Sequence, residues 1–428
     1  MKIKETLRRI LPASRTYMDD KLQTMEQHIT GKLEKQEKQW EKRWETQKKL
    51  MDAQKKTLQE IKAKDSEQQK ALENLKRYID FQQQKAVDNI QKYIEQELRR
   101  RDDWQVRAAE NERIAGGKPV WVIKCPAPEG EARVRWGDYP FALSLKKYLE
   151  RLGCHVIIDA REDWGCEEGA DVILVLRGSF FYRPDRRNKE CIYIMWNISH
   201  PDMVTAEEYE LYDIVCVGSR HYAAKLKSQL SVPVFPLLQC TDTEEFYPPE
   251  NEEEKKWDYI FIGNSRGVAR SCVMWAIEEN LPLRMWGSGW NTILKDHMDL
   301  FEAPTIENGE IPAVYRAAKA TLNDHWKDML QNQFVNNRIF DALACGLPVI
   351  SDACEELREI FPDAVLYYTD KEDFKKCVEE LENNYEKVRE RVSEQWELIQ
   401  REYSFEARAK ELVELAKDCR IRKTEQER

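Results

Sequence analysis

Three polar residues near the start of one helix set the chemistry open to this chain. Asn337 and Arg338 stand four and three positions before Asp341 in a breaker-free run from Asn336 to Cys345, so one helical face carries all three. Ile339 and Leu343 lie on another face, which can pack on a sheet. Gly346 and Pro348 stop the run, and Leu347 to Ser351 reads as a short strand covered on both sides. An aspartate so placed can accept from the two vicinal hydroxyls of a ribose. An arginine and a helix N-terminus can meet a diphosphate. The alternative is an α/β helix whose exposed face is merely polar.

Other residues fall where a second half of such a site would lie. Tyr259 to Gly263 reads as a strand and runs into Asn264-Ser265-Arg266-Gly267, with a helix behind it. A strand, a small polar turn and a helix start form an anion site from backbone N–H groups, so Gly263 and Ser265 are candidates for phosphate contact. Arg266 and Arg270 can add charge, or Arg266 can be a solvated turn residue. Neither GxxxxGK[ST] nor GxGxxG is present. Trp290, after Gly287-Ser288-Gly289, can stack on a base or pack in the core. His325, in Asn323-Asp324-His325-Trp326 at a strand end, can hydrogen-bond a sugar or phosphate. In the first half, Asp138 precedes Pro140 and is either a base for an incoming hydroxyl or the cap of the next helix. His200, in Ser199-His200-Pro201-Asp202, either touches substrate or shapes a turn.

The elements that position these residues alternate strand and helix twice. Strands at Val120–Lys124, His155–Asp159, Asp171–Arg177, Glu190–Asn197, Asp213–Gly218 and Val232–Leu238 are separated by helices at Phe141–Leu152 and Tyr222–Leu230. Such spacing implies right-handed crossovers and a parallel sheet, with ligands beyond the C-terminal strand ends. A second set follows the acidic linker 250–254: strands near Tyr259, Leu283, Ala320, Leu347 and Val365, with helices after Arg270, at Pro312–Lys319, at Glu355–Phe361 and at Lys371–Leu381. The domains expected are 118–240 and 255–400, with a last helix over 401–418.

The first 115 residues are of another kind. MKIKETLRRILPASR places Ile3, Leu7, Ile10 and Leu11 at helical spacing among five basic residues, which suits an anionic membrane surface or a frayed terminus. From Asp19 to about Ala115 there is one glycine and no proline, and apolar residues recur three, four or seven apart. That predicts a long charged helix, able to hide its seam as a coiled coil and so to build a homo-oligomer. Gly116-Gly117-Lys118-Pro119 ends it. The net charge of −10 argues against a nucleic-acid binder. Eleven cysteines carry no CxxC pair and the six histidines no metal spacing, so the sequence points to free thiols in a reducing cytoplasm and to no metal ligand set. No apolar run is long enough to span a membrane.

RIFDALACGLPVISD resembles the donor-site segment of GT-B glycosyltransferases of the group 1 and CgeB-like type, and WGDYPFALSLKKYLERLGCHV resembles their first βα segment. The resemblance covers about 118–418. It implies two Rossmann-like, doubly wound parallel-sheet α/β domains facing a cleft: an acceptor-side domain, a nucleotide-sugar donor domain and a closing helix. It further implies Asp341 on the ribose, the diphosphate near Gly263, Ser265, Arg266, Asn337 and Arg338, His325 on donor sugar or phosphate, and Asp138 and His200 in catalysis. No cofactor or metal is implied beyond the nucleotide sugar, and the acceptor is a glycan, lipid-linked glycan or protein. Many relatives carry a glutamate eight positions before the acidic residue, where this chain has Gln333. Two rivals follow: a coiled-coil scaffold with a degenerate GT-B part, and a nucleotide-sugar 2-epimerase.

Overall fold

The computed structural model describes residues 104–428, apart from short loop positions at 131–132, 134–135, 162–163, 165–166, 187 and 252–253 and the last two residues. Before that it describes the helical stretch 44–53 and scattered helical residues from 55 to 87. The basic start 1–15 lies outside the described residues, as does most of the long charged helix on which a coiled coil was expected. Residues 44–53 and Trp104–Ala115 are helical. No described helix is long and apolar enough to cross a membrane.

Two six-stranded parallel sheets organise the rest. The first has the order β2-β1-β3-β4-β5-β6 and the second β12-β11-β10-β7-β8-β9. In the first, β1 is Val120–Cys125, β2 His155–Ala160, β3 Val172–Arg177, β4 Ile192–Asn197, β5 Ile214–Val217 and β6 Val234–Pro236. In the second, β7 is Trp257–Ile262, β8 Leu283–Trp286, β9 Phe301–Ala303, β10 Ala318–Asn323, β11 Val349–Asp352 and β12 Val365–Tyr368. β1, β3 and β4 are buried along their whole length, the pattern of strands with helices on both faces. Lys124 in β1 is the exception in type. Its ammonium sits 2.5 Å from Asp159 on β2, so the buried charge is compensated.

Each sheet reverses its strand order once, between β1 and β3 and between β7 and β10. Loops leaving neighbouring strands diverge there and open a crevice at the C-terminal strand ends. The Gly263 turn leaves β7 and Asp324-His325 leaves β10, so both flank the second switch point.

The chain crosses between the domains twice, side by side. Thr241 N–H donates to Tyr403 O at 3.0 Å, and Phe405 N–H donates to Thr241 O at 3.0 Å. The last helix, Phe405–Gln426, then packs on the first domain, with Phe405, Ala409 and Leu412 in one core with Phe141, Leu145 and Leu149. Fully burying a phenylalanine or leucine stabilises by roughly 1.5–3 kcal/mol, so this return is an anchor.

Two expectations change. Asp138 does not cap the helix over Asp138–Arg151: the cap position is Gly137, with no side-chain bond, and Asp138 is already in the first turn. β9 is not among the strands expected, because three residues are too few to show a period. It forms because β8 leaves an open edge. Trp290 is fully buried and its indole N–H donates to Gly263 O at 2.8 Å, so of its two readings the core one holds.

Candidate functional site

A cleft of about 410 Å³ opens between the domains, lined among others by Gly263, Arg266, Arg270, Asn337, Arg338 and Asp341 from the second domain and by Gly137, Phe141 and Ser144 from the first. Its two ends differ in charge, and the sequence explains how each is built.

The basic end forms where β7 stops at the Gly263 turn. A Cβ on Gly263 would lie 2.9 Å from Nη1 of both Arg270 and Arg338, so the absent side chain is what lets the guanidinium groups gather. Arg266, at φ +61°, folds back so that its Nη1 donates to His325 O at 2.8 Å, and its guanidinium lies 4.3 Å from the Trp326 ring centroid. Arg270 Nε donates to Asp324 Oδ2 at 3.0 Å. Arg338 donates to the carbonyls of Ile262 and Asp324, both at 3.2 Å. One residue, Asp324, thus serves all three guanidinium groups: its carboxylate accepts from Arg270 and lies 3.6 Å from Arg266, and its backbone carbonyl accepts from Arg338. Burial, and then the charge of Arg338, pull Arg266 down to about 9, and burial with Arg338 and Arg266 pulls Arg270 down to about 8. Burial lowers Arg338 as well. Arginine keeps its charge in folded proteins, and the crowding of three such groups is relieved by an anion with several oxygens.

The acidic end is Asp341, one turn into the helix Asn337–Ala344. Asn337 Nδ2 donates to Asp341 Oδ2 at 3.0 Å, which aims the carboxylate across the cleft. Asp341 is buried, and burial pushes its carboxyl up to about 8, with Glu245 and Asp242 adding to the rise. The Thr241 side chain works against that rise, and a ligand that brings two hydroxyl donors favours the ionised form further.

Asp138 and His200 approach from the first domain. Burial pushes the Asp138 carboxyl up to about 6, and nearby His200 pulls it partly back. His200 stands at the end of β4 in the left-handed region, φ +52°. Its Nδ1 lies 3.4 Å from Asp328 Oδ2 of the second domain, and its ring packs edge-on against Trp326 at 5.1 Å. Burial, and then Asp328, push Asp202 up to about 6. Among the described residues His200, Asp202 and Asp328 are the set whose ligand atoms could hold a metal ion, all within 4.8 Å of one another.

The structure therefore brings Gly263, Arg266, Asn337, Arg338 and Asp341 to one cleft and sets Asp138 and His200 close to each other. It does not bring Ser265 or His325 there. Ser265 is buried, its hydroxyl donating to Gly289 O at 2.9 Å and accepting from Gly267 N–H at 3.2 Å, so it shapes the turn. The His325 ring is wholly buried; Nδ1 is 2.6 Å from Asp352 Oδ1 and Nε2 accepts from Asn336 N–H at 3.3 Å. It ties β10 to the head of the Asn337 helix and has no nitrogen left for a ligand. Gln333, at φ +64°, also turns away: its Oε1 accepts from the N–H groups of Glu355 and Glu356 at 2.6 and 3.2 Å. Asn308, Trp326 and Phe141 line the cleft without a signal in the sequence, since each is placed by tertiary packing alone.

Against known proteins, residues 270–414 match the family described as glycosyl transferase-like. The fold is that of the GT-B glycosyltransferases. Sucrose-phosphate synthase from Thermosynechococcus elongatus superposes with a TM-score of 0.55 at 14% identity, over 70% of this chain and 98% of that one. AviGT4, a glycosyltransferase involved in avilamycin A biosynthesis, gives 0.51 at 15%, over 71% and 98%. Anabaena HepE, in complex with UDP and glucose, gives 0.50 at 8%, over 70% and 99%. No curated protein sequence matches. The family match spans about a third of this chain, and each superposition covers 70 or 71% of it.

Proposed function

We propose that this glycosyltransferase moves a sugar from a nucleotide-sugar donor to a hydroxyl of a glycan, a lipid-linked glycan or a protein. The observation that carries the reading is the polarity of the cleft: three guanidinium groups gathered on Asp324 at one end, and the buried Asp341 at the other. A nucleoside diphosphate has the matching polarity, with anionic oxygens at one end and a ribose diol beyond them.

In the reaction the bond between the anomeric carbon and the diphosphate oxygen breaks, and a bond to the acceptor oxygen forms. Arg266, Arg270 and Arg338 stabilise the charge left on the diphosphate, in positions fixed before the substrate arrives. Asp341 holds the ribose. Asp138, ionised in most molecules at neutral pH, takes the acceptor proton, and His200 beside it contacts the sugar or shares that transfer. Closure of the two domains excludes water, so the acceptor hydroxyl wins over hydrolysis. The arginines supply the charge that a metal would otherwise bring, so no metal or other cofactor enters the proposal. The sequence of the N-terminal segment, with its helical apolar spacing and basic start, supports an oligomer on a membrane surface and, with it, work in surface glycan or glycoconjugate synthesis on the cytoplasmic side.

The test is thermal stabilisation by UDP-, GDP-, dTDP- and CDP-sugars, with Asp341→Ala alongside. A ligand that binds only the folded state raises the melting temperature by mass action. A shift for one nucleotide, lost in the variant, supports the reading. No shift for any at millimolar concentration favours a scaffold. A changed sugar nucleotide without any acceptor favours an epimerase.

A further inference from the structure

The cleft continues into a second cavity of about 1030 Å³, which shares Pro140, Ser144, Asp242 and Asn308 with the first and is lined by Arg316 and Lys147 but not by Arg266, Arg270 or Arg338. In a nucleoside diphosphate the base and the phosphates leave the ribose on opposite sides. With the phosphates at the arginines and the ribose at Asp341, the base enters this second cavity, and its walls choose the base.

The wall nearest Asp341 is acidic, with Asp242, Glu244 and Glu245 all present. Two of the three are already satisfied. Asp242 takes the Lys147 ammonium at 2.5 Å and the Tyr148 hydroxyl at 2.8 Å. Glu244 faces Lys147 at 3.3 Å and is gripped by Arg151 through both oxygens. Glu245 is different. Its hydrogen-bond partner is Asn308, whose Nδ2 donates to Glu245 Oε2 at 3.4 Å. Its side chain is exposed, yet partial desolvation against the cavity wall, and then the neighbouring Asp242, push its carboxyl up. Glu245 comes from the linker and Asn308 from the loop after β9, so the pair forms only when the second domain is folded against its linker.

We propose that the donor is a guanosine-diphosphate sugar, with the Glu245 carboxylate accepting from guanine N1–H and N2–H and the Asn308 amide donating to O6. The inference rests on the nucleotide-sugar reading given above and names its base. The pair offers two acceptor oxygens beside an amide donor. Guanine is the one common base whose pairing edge carries two adjacent donors followed by an acceptor. Uracil and thymine present one N–H between two carbonyls, so a carboxylate facing that edge meets an oxygen. Cytosine and adenine present one amino group next to a bare ring nitrogen. A site built to hydrogen-bond a donor discriminates strongly against a ligand that lacks it, because its own polar groups are then left unpaired.

The experiment is calorimetric titration of the full chain with GDP, inosine diphosphate, UDP and ADP, without sugar or acceptor. GDP is expected to bind at least ~10-fold more tightly than UDP or ADP, and inosine diphosphate, which lacks only the N2 amino group, ~10-fold more weakly than GDP. Glu245→Gln is expected to remove the gap between GDP and inosine diphosphate. Glu245 is exposed, so this variant should fold, and its melting curve checks that. UDP or ADP binding as tightly as GDP, or a gap that survives Glu245→Gln, overturns the base assignment and leaves the donor reading standing. No binding by any of the four, together with Asp341→Ala melting as the parent does in their presence, overturns both.

Discussion

The Glu356 carboxylate, in the second domain, accepts the backbone N–H of Arg220, in the first, at 2.7 Å. The same oxygen accepts from His221 N–H at 3.2 Å and Ser219 Oγ at 3.3 Å, while Arg220 Nε donates to the other oxygen at 2.5 Å. A fully buried acid of one domain thus serves the N-terminus of the Arg220–Lys227 helix of the other, where the helix dipole favours negative charge. Gln333 holds the backbone of Glu355 and Glu356 from the other side. Glu356→Ala leaves part-buried N–H groups without their acceptor and the Arg220 guanidinium with Glu359 alone. It is expected to cost about 2–4 kcal/mol of stability and to loosen domain closure, raising KM for the donor more than it lowers kcat. Thermal melting and steady-state kinetics check both. Gln333→Glu is expected to destabilise in the same direction, since it sets a third carboxylate beside Glu355 and Glu356. A variant of unchanged stability would mean that the contact is incidental.

Asp341 is kept for binding at a cost to the fold. Its carboxyl lies near the ordinary 3.9 in the unfolded chain and at about 8 in the folded one. A raised carboxyl contributes stability that is complete below about pH 4 and is progressively lost as pH rises to about 8. Asp341→Asn removes the ionisable group and keeps an oxygen for Asn337 Nδ2. The variant is expected to gain on the parent as pH rises from 4 to 8, by at most ~1.4 kcal/mol per pH unit, with the difference vanishing near pH 4. Donor affinity is expected to fall at every pH. Melting temperatures across pH 4–9 test the first expectation, and titration with nucleotide the second.

The sequence made the second domain's site half legible. Asn337, Arg338 and Asp341 were readable because helical spacing alone decides which residues share a face. Arg266 was readable because a strand followed by a small polar turn places its neighbours at a sheet's C-terminal edge. Ser265 and His325 misled for the same reason. Sequence locates them near the switch point, but it does not say which way a side chain turns, and both turn inward to satisfy local hydrogen bonds. Glu245, Asn308 and Glu356 gave no signal, because each acts across 63 or more residues of chain, in contacts that exist only after the domains and the linker have come together. The alternation of strand and helix carried the fold. The edge strand β9 escaped because three residues are too few to show a period.

The three arginines are expected to act on the diphosphate with unequal side effects. Arg266→Ala loses a guanidinium held by two backbone carbonyls and Trp326, so it should fold. Removing one preorganised charge at a leaving group lowers kcat/KM by about 100-fold. Arg270→Ala is expected to lower it similarly and to lower the melting temperature as well, because Asp324 is then left without its closest counter-charge. Chelation is expected to leave the rate unchanged. A rate lost to chelator and restored by Mn²⁺ or Mg²⁺ would instead assign a cation to His200, Asp202 and Asp328, and substitution of Asp328 would then abolish the restoration.

Asp138 and His200 separate by their pH profiles. A base at about 6 must be ionised to take the acceptor proton, so kcat/KM is expected to rise with pH through that value and then level off. Asp138→Asn keeps the helix start, because the cap position is Gly137 and uses no side chain. It is expected to lower the plateau by about 100-fold or more and to abolish the rise near 6. His200 holds the Asp138 carboxyl down, so its removal should move the rise to higher pH while leaving its shape. His200→Asn is suited to the test because asparagine tolerates the left-handed backbone that position needs. A profile unmoved by His200→Asn would remove His200 from the acid–base chemistry, and an Asp138→Asn variant of parental rate would return the proton to another acceptor, the departing diphosphate itself being the nearest in charge.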